Sequence, residues 1–201
     1  MKKGLLVALG IVALVVIIIL AVYGWGVGVY NKMVGLNEGV NQAWGQVENQ
    51  YQRRYDLIPN LVATVKGVAE FEKDTYTAVT EARAKVGQIK LSNEQLSNPQ
   101  AFQQFHQAQD GLSSALSRLL VVSENYPQLK ANENFLQLQA QLEGTENRIS
   151  VERMKFNQVV QDYNTQIKRF PATIIAGMTG FKEKQYFKAA TGAEQAPKVQ
   201  F

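Results

Sequence analysis

The amino-acid sequence predicts an all-α protein in which a single N-terminal transmembrane helix precedes an antiparallel up-and-down four-helix bundle of long helices. Two observations carry this prediction. No charged residue occurs in the 28 residues from Gly4 to Asn31, and about 20 apolar residues are enough for a helix to cross the hydrocarbon core of a bilayer. Beyond Tyr30, apolar residues recur at spacings of three and four without strand-like alternation, which is the period of helices with one buried face.

The first element comprises a short basic N-terminus, residues 1–3, and the transmembrane helix, residues 4–29. Tyr23, Trp25 and Tyr30 lie at its far end, where aromatic rings favour the headgroup level. A cleaved signal peptide is the alternative, but its apolar core is normally shorter and is followed by a small-residue cleavage site. Gly24 and Gly28 have the spacing of a helix-packing motif, although a flexible exit from the membrane is the preferred interpretation.

Lys2 and Lys3 precede the apolar stretch, whereas Lys32 is the only basic residue after it and before Arg53. The positive-inside rule therefore predicts a cytoplasmic N-terminus and a bundle on the opposite, extracytoplasmic side of the membrane.

The second element is the helical bundle, residues 30–170, which divides into four segments. The first covers residues 30–55 and ends at an interruption containing Asp56 and Pro59, because proline inside a helix costs about 3 kcal/mol. The second covers residues 57–86. The third covers 99–125, with Asn98 as its cap. The fourth runs from Phe135 to Phe170 with an apolar residue at almost every heptad step, with Asn132 as its cap, and Pro171 ends it.

The remaining residues divide into an amphipathic basic segment, 171–190, and a tail, 191–201, that is expected to be disordered. The amphipathic segment either folds back onto the bundle or lies on anionic headgroups, and both interpretations stay open. In the second case the candidate membrane contacts are Ile174, Ile175, Met178, Phe181, Lys182 and Lys184.

Composition excludes several kinds of chemistry. The chain has no cysteine and a single histidine, His106, so disulfides, cysteine-ligated metals and cysteine nucleophiles are excluded. We expect no catalytic residue, no cofactor and no metal site. Lysines and arginines are dispersed among acids, so the net charge of +4 does not predict a nucleic-acid-binding face. The 21 glutamines and 13 asparagines instead give amide-rich helix surfaces suited to contacts between subunits.

A run of short motifs in a fixed order resembles the LemA family over nearly the whole chain after the apolar stretch. The motifs are Tyr30-Asn31, Ala43-Trp44, Arg53-Arg54-x-Asp56-Leu57-Ile58-Pro59-Asn60-Leu61-Val62, Glu70-Phe71-Glu72, Glu81-Ala82-Arg83, Glu124-Asn125-Tyr126-Pro127, Thr145-Glu146-x-Arg148-Ile149, Phe156-Asn157, Tyr163-Asn164, Phe170-Pro171 and Tyr186-Phe187. The resemblance implies a bacterial membrane-anchored protein with a soluble antiparallel helical bundle, and it implies no known reaction. Phe71 stands where the family commonly has histidine, which excludes imidazole chemistry there.

Two clusters of polar residues are candidate recognition or structural sites. Arg53, Arg54, Asp56 and Asn60 surround the predicted helix interruption, where capping and ion pairing are favoured over recognition. Glu146, Arg148, Glu152 and Arg153 lie on the fourth segment. Glu152 occupies a stripe position, so it is expected to be partly buried and to need a basic partner. The candidate partners are Arg83, Arg118 and Arg54.

Aromatic residues followed by asparagine recur at Tyr30-Asn31, Phe156-Asn157 and Tyr163-Asn164. The sequence predicts that the rings lie in the core and that the amides hydrogen-bond across helices.

These features favour a non-enzymatic single-pass membrane protein that self-assembles or acts as a scaffold. Its expected partners are membrane lipid, further copies of the chain and an unidentified membrane protein. The alternative is an extracytoplasmic sensor or adaptor that regulates a membrane protease or kinase.

Overall fold

The computed structural model describes residues 2–68 and 71–188, and the side chains from residue 6 onward. Within these residues the protein is all-helical and has no strand. Its helices are α1 (Lys2–Lys66), α2 (Lys73–Gln88), α3 (Pro99–Ser123), α4 (Pro127–Lys130), α5 (Glu133–Lys168) and α6 (Ala172–Thr179), with a 3₁₀ turn at Glu94–Ser97. The predicted all-α class and the predicted long apolar N-terminal helix are therefore confirmed.

Helix α1 has 65 residues, which corresponds to a length of about 100 Å. All side chains of residues 6–25 are exposed. Within the part of the chain that the structure describes, α1 alone is long and apolar enough to cross a membrane, by length and composition. The same helix continues into the helical body, where a side chain is buried every three or four residues from Val40 to Val65.

The predicted interruption around Pro59 is wrong, because α1 passes through this proline and ends at Lys66. A proline has no N–H, so the carbonyl of Tyr55, four residues earlier, loses its helical partner. The Nε of Arg83 on α2 donates to this carbonyl at 3.1 Å, and the guanidinium lies 3.7 Å from the centroid of the Tyr55 ring. A side chain from the neighbouring helix thus replaces the missing hydrogen bond. The predicted second segment is consequently reduced to α2.

The caps predicted for the two later helices are present. Asn98 accepts hydrogen bonds from the backbone N–H groups of Gln100 and Ala101 at the start of α3. Asn132 accepts one from the N–H of Phe135 at the start of α5. Such caps satisfy N–H groups that have no partner inside the helix.

The core consists of two clusters at different heights of the body. The first, here called the aromatic cluster, gathers buried rings of α1, α3, α5 and the C-terminal residues: Trp44, Tyr51, Phe102, Phe105, Phe156, Tyr163 and Phe187. The second, the aliphatic cluster, is built mainly from Ile58, Leu61, Val65, Val79, Leu112, Leu116, Leu119, Leu129, Phe135 and Leu142. Helix α5 packs along α1, and α3 packs along α2.

After α5 the chain turns into α6 and then runs without regular structure from Phe181 to Lys188. Residues 181–188, here called the strap, pack back onto α5 and the 3₁₀ turn. Gly180 connects α6 to the strap with a φ of 79°, a left-handed conformation that favours glycine. Residues 189–190 of the predicted amphipathic segment, and the tail 191–201, lie outside the described residues.

Candidate functional site

A layer of polar side chains separates the two core clusters. Arg54 occupies the α1 stripe position between Tyr51 and Ile58 and is only 1% exposed. Its Nη1 donates to Glu146 Oε1 at 2.7 Å and to Ser113 Oγ at 2.7 Å. These residues, together with Gln109, are here called the polar layer.

Gln109 completes the layer from α3. Its side-chain Oε1 accepts from Nη2 of Arg54, and Gln109 is 4% exposed. Glu146 is 38% exposed, so its carboxylate reaches the surface while the guanidinium does not. A buried charge needs a paired and hydrogen-bonded partner, and the layer supplies both from two other helices. The layer therefore joins α1, α3 and α5 at one level of the body.

A second group of charges lies one turn away. Nδ1 of His106 is 2.7 Å from Asp110 Oδ2, and Arg153 contacts both His106 and Asp110. Burial lowers the pKa of His106, the nearby Asp110 opposes this shift, and Arg153 reinforces it. Burial also raises the pKa of Tyr51 to about 12.

Two asparagines of α5 bind the backbone of the strap. Asn164 donates to the carbonyl of Lys184 and accepts from its N–H, both at 2.9 Å. Asn157 does the same with Phe187, also at 2.9 Å in both directions. The asparagines are seven residues apart, about 10.5 Å along a helix, and the bonded strap residues are three apart, about 10 Å along an extended chain.

The two spacings match, which is why one helix face can bond an extended chain at both points. The amides of these two aromatic–asparagine pairs were predicted to bond across helices, and this is wrong, because they bond the strap.

The side chains of the strap fill the body from its side. Phe187 is buried against Trp44, Phe102 and Phe156, with ring centroids 5.0 to 6.1 Å apart. Lys184 is 7% exposed and its Nζ donates to the carbonyl of Asn93 at 3.2 Å. Its expected contact with lipid headgroups is therefore wrong in this structure. Burial lowers the pKa of Lys184, an effect that Glu94 partly offsets.

The other candidate membrane contacts lie on or beside α6. Ile174 and Met178 are 54% and 83% exposed. Ile175 packs on α1 at Gly26, with its Cδ1 3.7 Å from where a Cβ on Gly26 would lie. Phe181 packs against Tyr30, with centroids 5.7 Å apart, and Lys182 is exposed.

The first predicted cluster does not form a common site. Arg54 points into the core, whereas Arg53, Asp56 and Asn60 are exposed on the same unbroken helix. Asp56 accepts a hydrogen bond from Gln52 at 2.8 Å, so it does not cap a new helix.

The second predicted cluster divides between the two groups of charges. Glu146 joins the polar layer, and Arg153 joins His106 and Asp110. Glu152 pairs at 2.8 Å with Lys155 of its own helix, so the expected partner on another helix is wrong. Arg148 is exposed beside Thr145. An added Cβ at Gly24 or Gly28 would meet no described atom within 4 Å.

Sequence reasoning missed Gln109, Ser113 and Asp110. The sequence did contain a signal for Gln109. It continues the spacing of Phe105, Leu112 and Leu116, so it places an amide in an otherwise apolar stripe. Arg54 likewise continues the α1 stripe. No group of three or more acidic or histidine side chains that could hold a metal ion occurs in residues 2–68 and 71–188. The arrangement supports ion pairing between side chains and hydrogen bonding of asparagine amides to backbone groups.

Comparisons with known proteins agree with the sequence resemblance. The model of the LemA family matches residues 43–201. The chain is 28% identical over 175 residues to magnetosome protein MamQ 2 of Paramagnetospirillum magneticum, covering 79% of this chain and 64% of that protein. The same identity and coverage hold over 174 residues for magnetosome protein MamQ of Magnetospirillum gryphiswaldense. Protein LemA of Metamycoplasma hominis is 23% identical over 164 residues, covering 82% of this chain and 71% of that protein. The chain thus spans less than two thirds of the MamQ proteins.

Proposed function

Because the chain belongs to the LemA family, we propose that it is a single-pass protein of the bacterial inner membrane whose helical body self-assembles into a non-enzymatic scaffold. The observation that carries this proposal is the continuity of α1. One helix supplies both the exposed apolar stretch of residues 6–25 and the central stripe of the core. The body is therefore held rigidly at the membrane rather than tethered by a linker.

Contacts along α1 support the antiparallel pairing of α1 with α5. Gly39 lies against Val159, and Arg54 pairs with Glu146. As the residue number rises on α1 it falls on α5, so the two helices run in opposite directions.

The other two long helices complete an up-and-down arrangement. Tyr55 and Lys66 of α1 contact Arg83 and Tyr76 of α2 respectively, which is again antiparallel. Trp44 and Arg54 contact Phe102 and Ser113 of α3, so α3 runs parallel to α1. The proposed bundle thus consists of α1, α2, α3 and α5 with alternating directions.

Apolar side chains exposed on the body support self-assembly. Val151 and Met154 on α5 are 43% and 66% exposed, and Val121 on α3 is 70% exposed. A Cβ added at Gly24 or Gly28 would meet no described atom within 4 Å, so both positions have room for helix packing between copies. Val151 and Met154 are neighbours at i and i+3 on one helix, and contiguous exposed apolar residues of this kind are features of contact surfaces.

Mass photometry of the full chain in mild detergent tests the scaffold, and we expect a distribution dominated by oligomers. Met154→Lys with Val151→Lys should shift the distribution toward monomer. The matched control Gln158→Lys with Gln161→Lys adds the same charge at exposed positions of the same helix and should leave it unchanged. A wild-type chain that is strictly monomeric refutes the scaffold.

Membrane orientation is proposed from the lysines that flank the uncharged stretch of α1, with the N-terminus in the cytoplasm. The chain has no cysteine, so Ser150→Cys on the exposed side of α5 creates a unique label. A membrane-impermeant maleimide should modify this variant in intact spheroplasts. Labelling only after lysis would place the body in the cytoplasm instead.

A sensor or adaptor for a membrane protease or kinase is a second candidate, and the polar layer on the rigid α1 favours it. A ligand that reaches the exposed carboxylate of Glu146 would act on a helix that is continuous with the membrane segment. Co-purification of one membrane enzyme in a fixed ratio would favour this candidate over the scaffold.

A further inference from the structure

A cleft of about 400 Å³ lies where α1 passes the end of α5 and the start of α6. Trp25 and Lys32 line it from α1, and Gln166 and Arg169 line it from α5 and its end. Phe170, which follows Arg169, also lines it. None of its lining residues is acidic.

Both basic side chains of the cleft are unpaired. Lys32 and Arg169 are exposed, and neither side chain makes a hydrogen bond or ion pair with a described residue. By contrast, Lys168 next to Arg169 is neutralised by Glu183. Two unpaired cations around one cleft, with an amide at Gln166, form a donor set that suits a phosphate group.

The position of the cleft along α1 indicates which phosphate it meets. Lys32 is the first charged residue after the uncharged stretch that ends at Asn31, so it lies at the proposed headgroup level. Trp25 and Phe170 are 44% and 77% exposed, and aromatic rings favour this interface. Ile174 and Met178 on α6, the helix that begins at the cleft, are also exposed.

We propose that this cleft binds the phosphate of an anionic phospholipid, with Lys32 and Arg169 on the phosphate and with Trp25 and Phe170 against the adjoining glycerol and acyl chains. The inference rests on the proposed membrane anchoring of α1. It assigns lipid selectivity to two residues 137 positions apart in sequence, which only the return of α5 to the membrane end of α1 brings together.

Trp25 provides a reporter for the test, because the other tryptophan, Trp44, is buried in the core. The full chain is reconstituted into phosphatidylcholine vesicles with a minor fraction of either dibrominated phosphatidylglycerol or dibrominated phosphatidylcholine. Bromine quenches a nearby indole, so the wild type should be quenched more strongly by phosphatidylglycerol at equal fraction. Each base near an anionic surface contributes about fivefold to lipid affinity, so Lys32→Gln with Arg169→Gln should lower the phosphatidylglycerol preference by roughly tenfold or more.

The control variant is Lys73→Gln with Arg118→Gln, two exposed bases on α2 and α3 beside the aliphatic cluster, far from the cleft. It removes the same charge and should retain the preference. The proposal is overturned if the cleft variant and the control variant show an equal preference for phosphatidylglycerol. It is also overturned if millimolar inorganic phosphate abolishes the preference of the wild type. In both cases quenching by phosphatidylcholine still supports membrane anchoring. Absence of quenching by either lipid refutes the anchoring itself.

Discussion

Replacement of Arg54 by methionine is the sharpest test of the polar layer. Methionine fills a similar volume, so the variant removes the charge and the hydrogen bonds with little cavity. It leaves the buried Gln109 and the carboxylate of Glu146 without their partner. Breaking a buried ion pair costs about 3–5 kcal/mol, and the 38% exposure of Glu146 lets water hydrate the remaining charge, so we expect about 3 kcal/mol.

For a chain of this size each kcal/mol changes Tm by about 2–4 °C, so Arg54→Met should lower Tm by roughly 6–12 °C in thermal unfolding followed by circular dichroism. Arg53→Met is the matched control. Arg53 is the adjacent residue on the same helix, it is exposed, and its side chain pairs with no described residue. Exposed substitutions of this kind change stability by about 0.5 kcal/mol or less.

A double-mutant cycle with Glu146→Gln isolates the pair. Glu146→Gln should destabilise the wild type by about 3 kcal/mol or more, because the guanidinium, which is only 1% exposed, keeps its charge in the core without a counter-charge. In the Arg54→Met background the same change should be close to neutral, which gives a coupling of about 3 kcal/mol. Equal melting temperatures of Arg54→Met and Arg53→Met would refute the reasoning, since the layer would then carry no net stability.

Other contacts carry three more predictions. Arg83→Met should lower the free energy of unfolding by about 1–2 kcal/mol, because the Tyr55 carbonyl loses its hydrogen-bond donor and the Tyr55 ring loses its cation. In a Pro59→Ala background a helical N–H returns to that carbonyl, so the loss measured by urea unfolding should be about half as large. Equal losses in the two backgrounds would show that Arg83 does not replace the missing helical hydrogen bond. Asn164→Ala should speed hydrogen exchange at the Lys184 amide at least about tenfold, because both hydrogen bonds between Asn164 and the strap are lost. The control Gln158→Ala, at an exposed position of the same helix, should leave this exchange rate unchanged. Unchanged protection in both variants would show that Asn164 does not hold the strap. The pKa of His106 is lower in the folded chain than in the unfolded chain. As the pH falls from 7.5 through the ordinary histidine range near about 6.5, the unfolded chain therefore binds more protons, and the free energy of unfolding should decrease. His106→Gln should reduce the slope of unfolding free energy against pH, and identical slopes in the two chains would show that His106 does not contribute.

Local signals in the sequence were sufficient for the helix class. The uncharged stretch, the three–four spacing and the caps Asn98 and Asn132 each act over a few residues, so they can be read without knowing the tertiary structure. Pro59 could not be interpreted in this way. Whether a proline ends a helix depends on whether another group bonds the carbonyl four residues earlier, and Arg83 reaches Tyr55 only after α2 has folded back.

The candidate site was predictable in part. Arg54 and Glu146 were both selected, but their pairing was not, because the stripe placed Glu152 inward while the carboxylate that meets Arg54 comes from Glu146. The aromatic–asparagine repeat was noticed as a pattern, yet its partner is a backbone without helical or strand periodicity. No sequence period marks a segment that is held through its main-chain atoms, so the strap could be found only in the structure.

Because α1 is unbroken, a change in the tilt of its N-terminal half also moves its C-terminal half. About 35 residues of α1 lie beyond Asn31, which is about 52 Å of helix. A helix that changes its tilt by about 10° in response to bilayer thickness would displace the distal end of this arm sideways by about 9 Å. With α1 anchored in the bilayer as proposed, small changes of tilt there would thus displace the aliphatic cluster by a comparable distance.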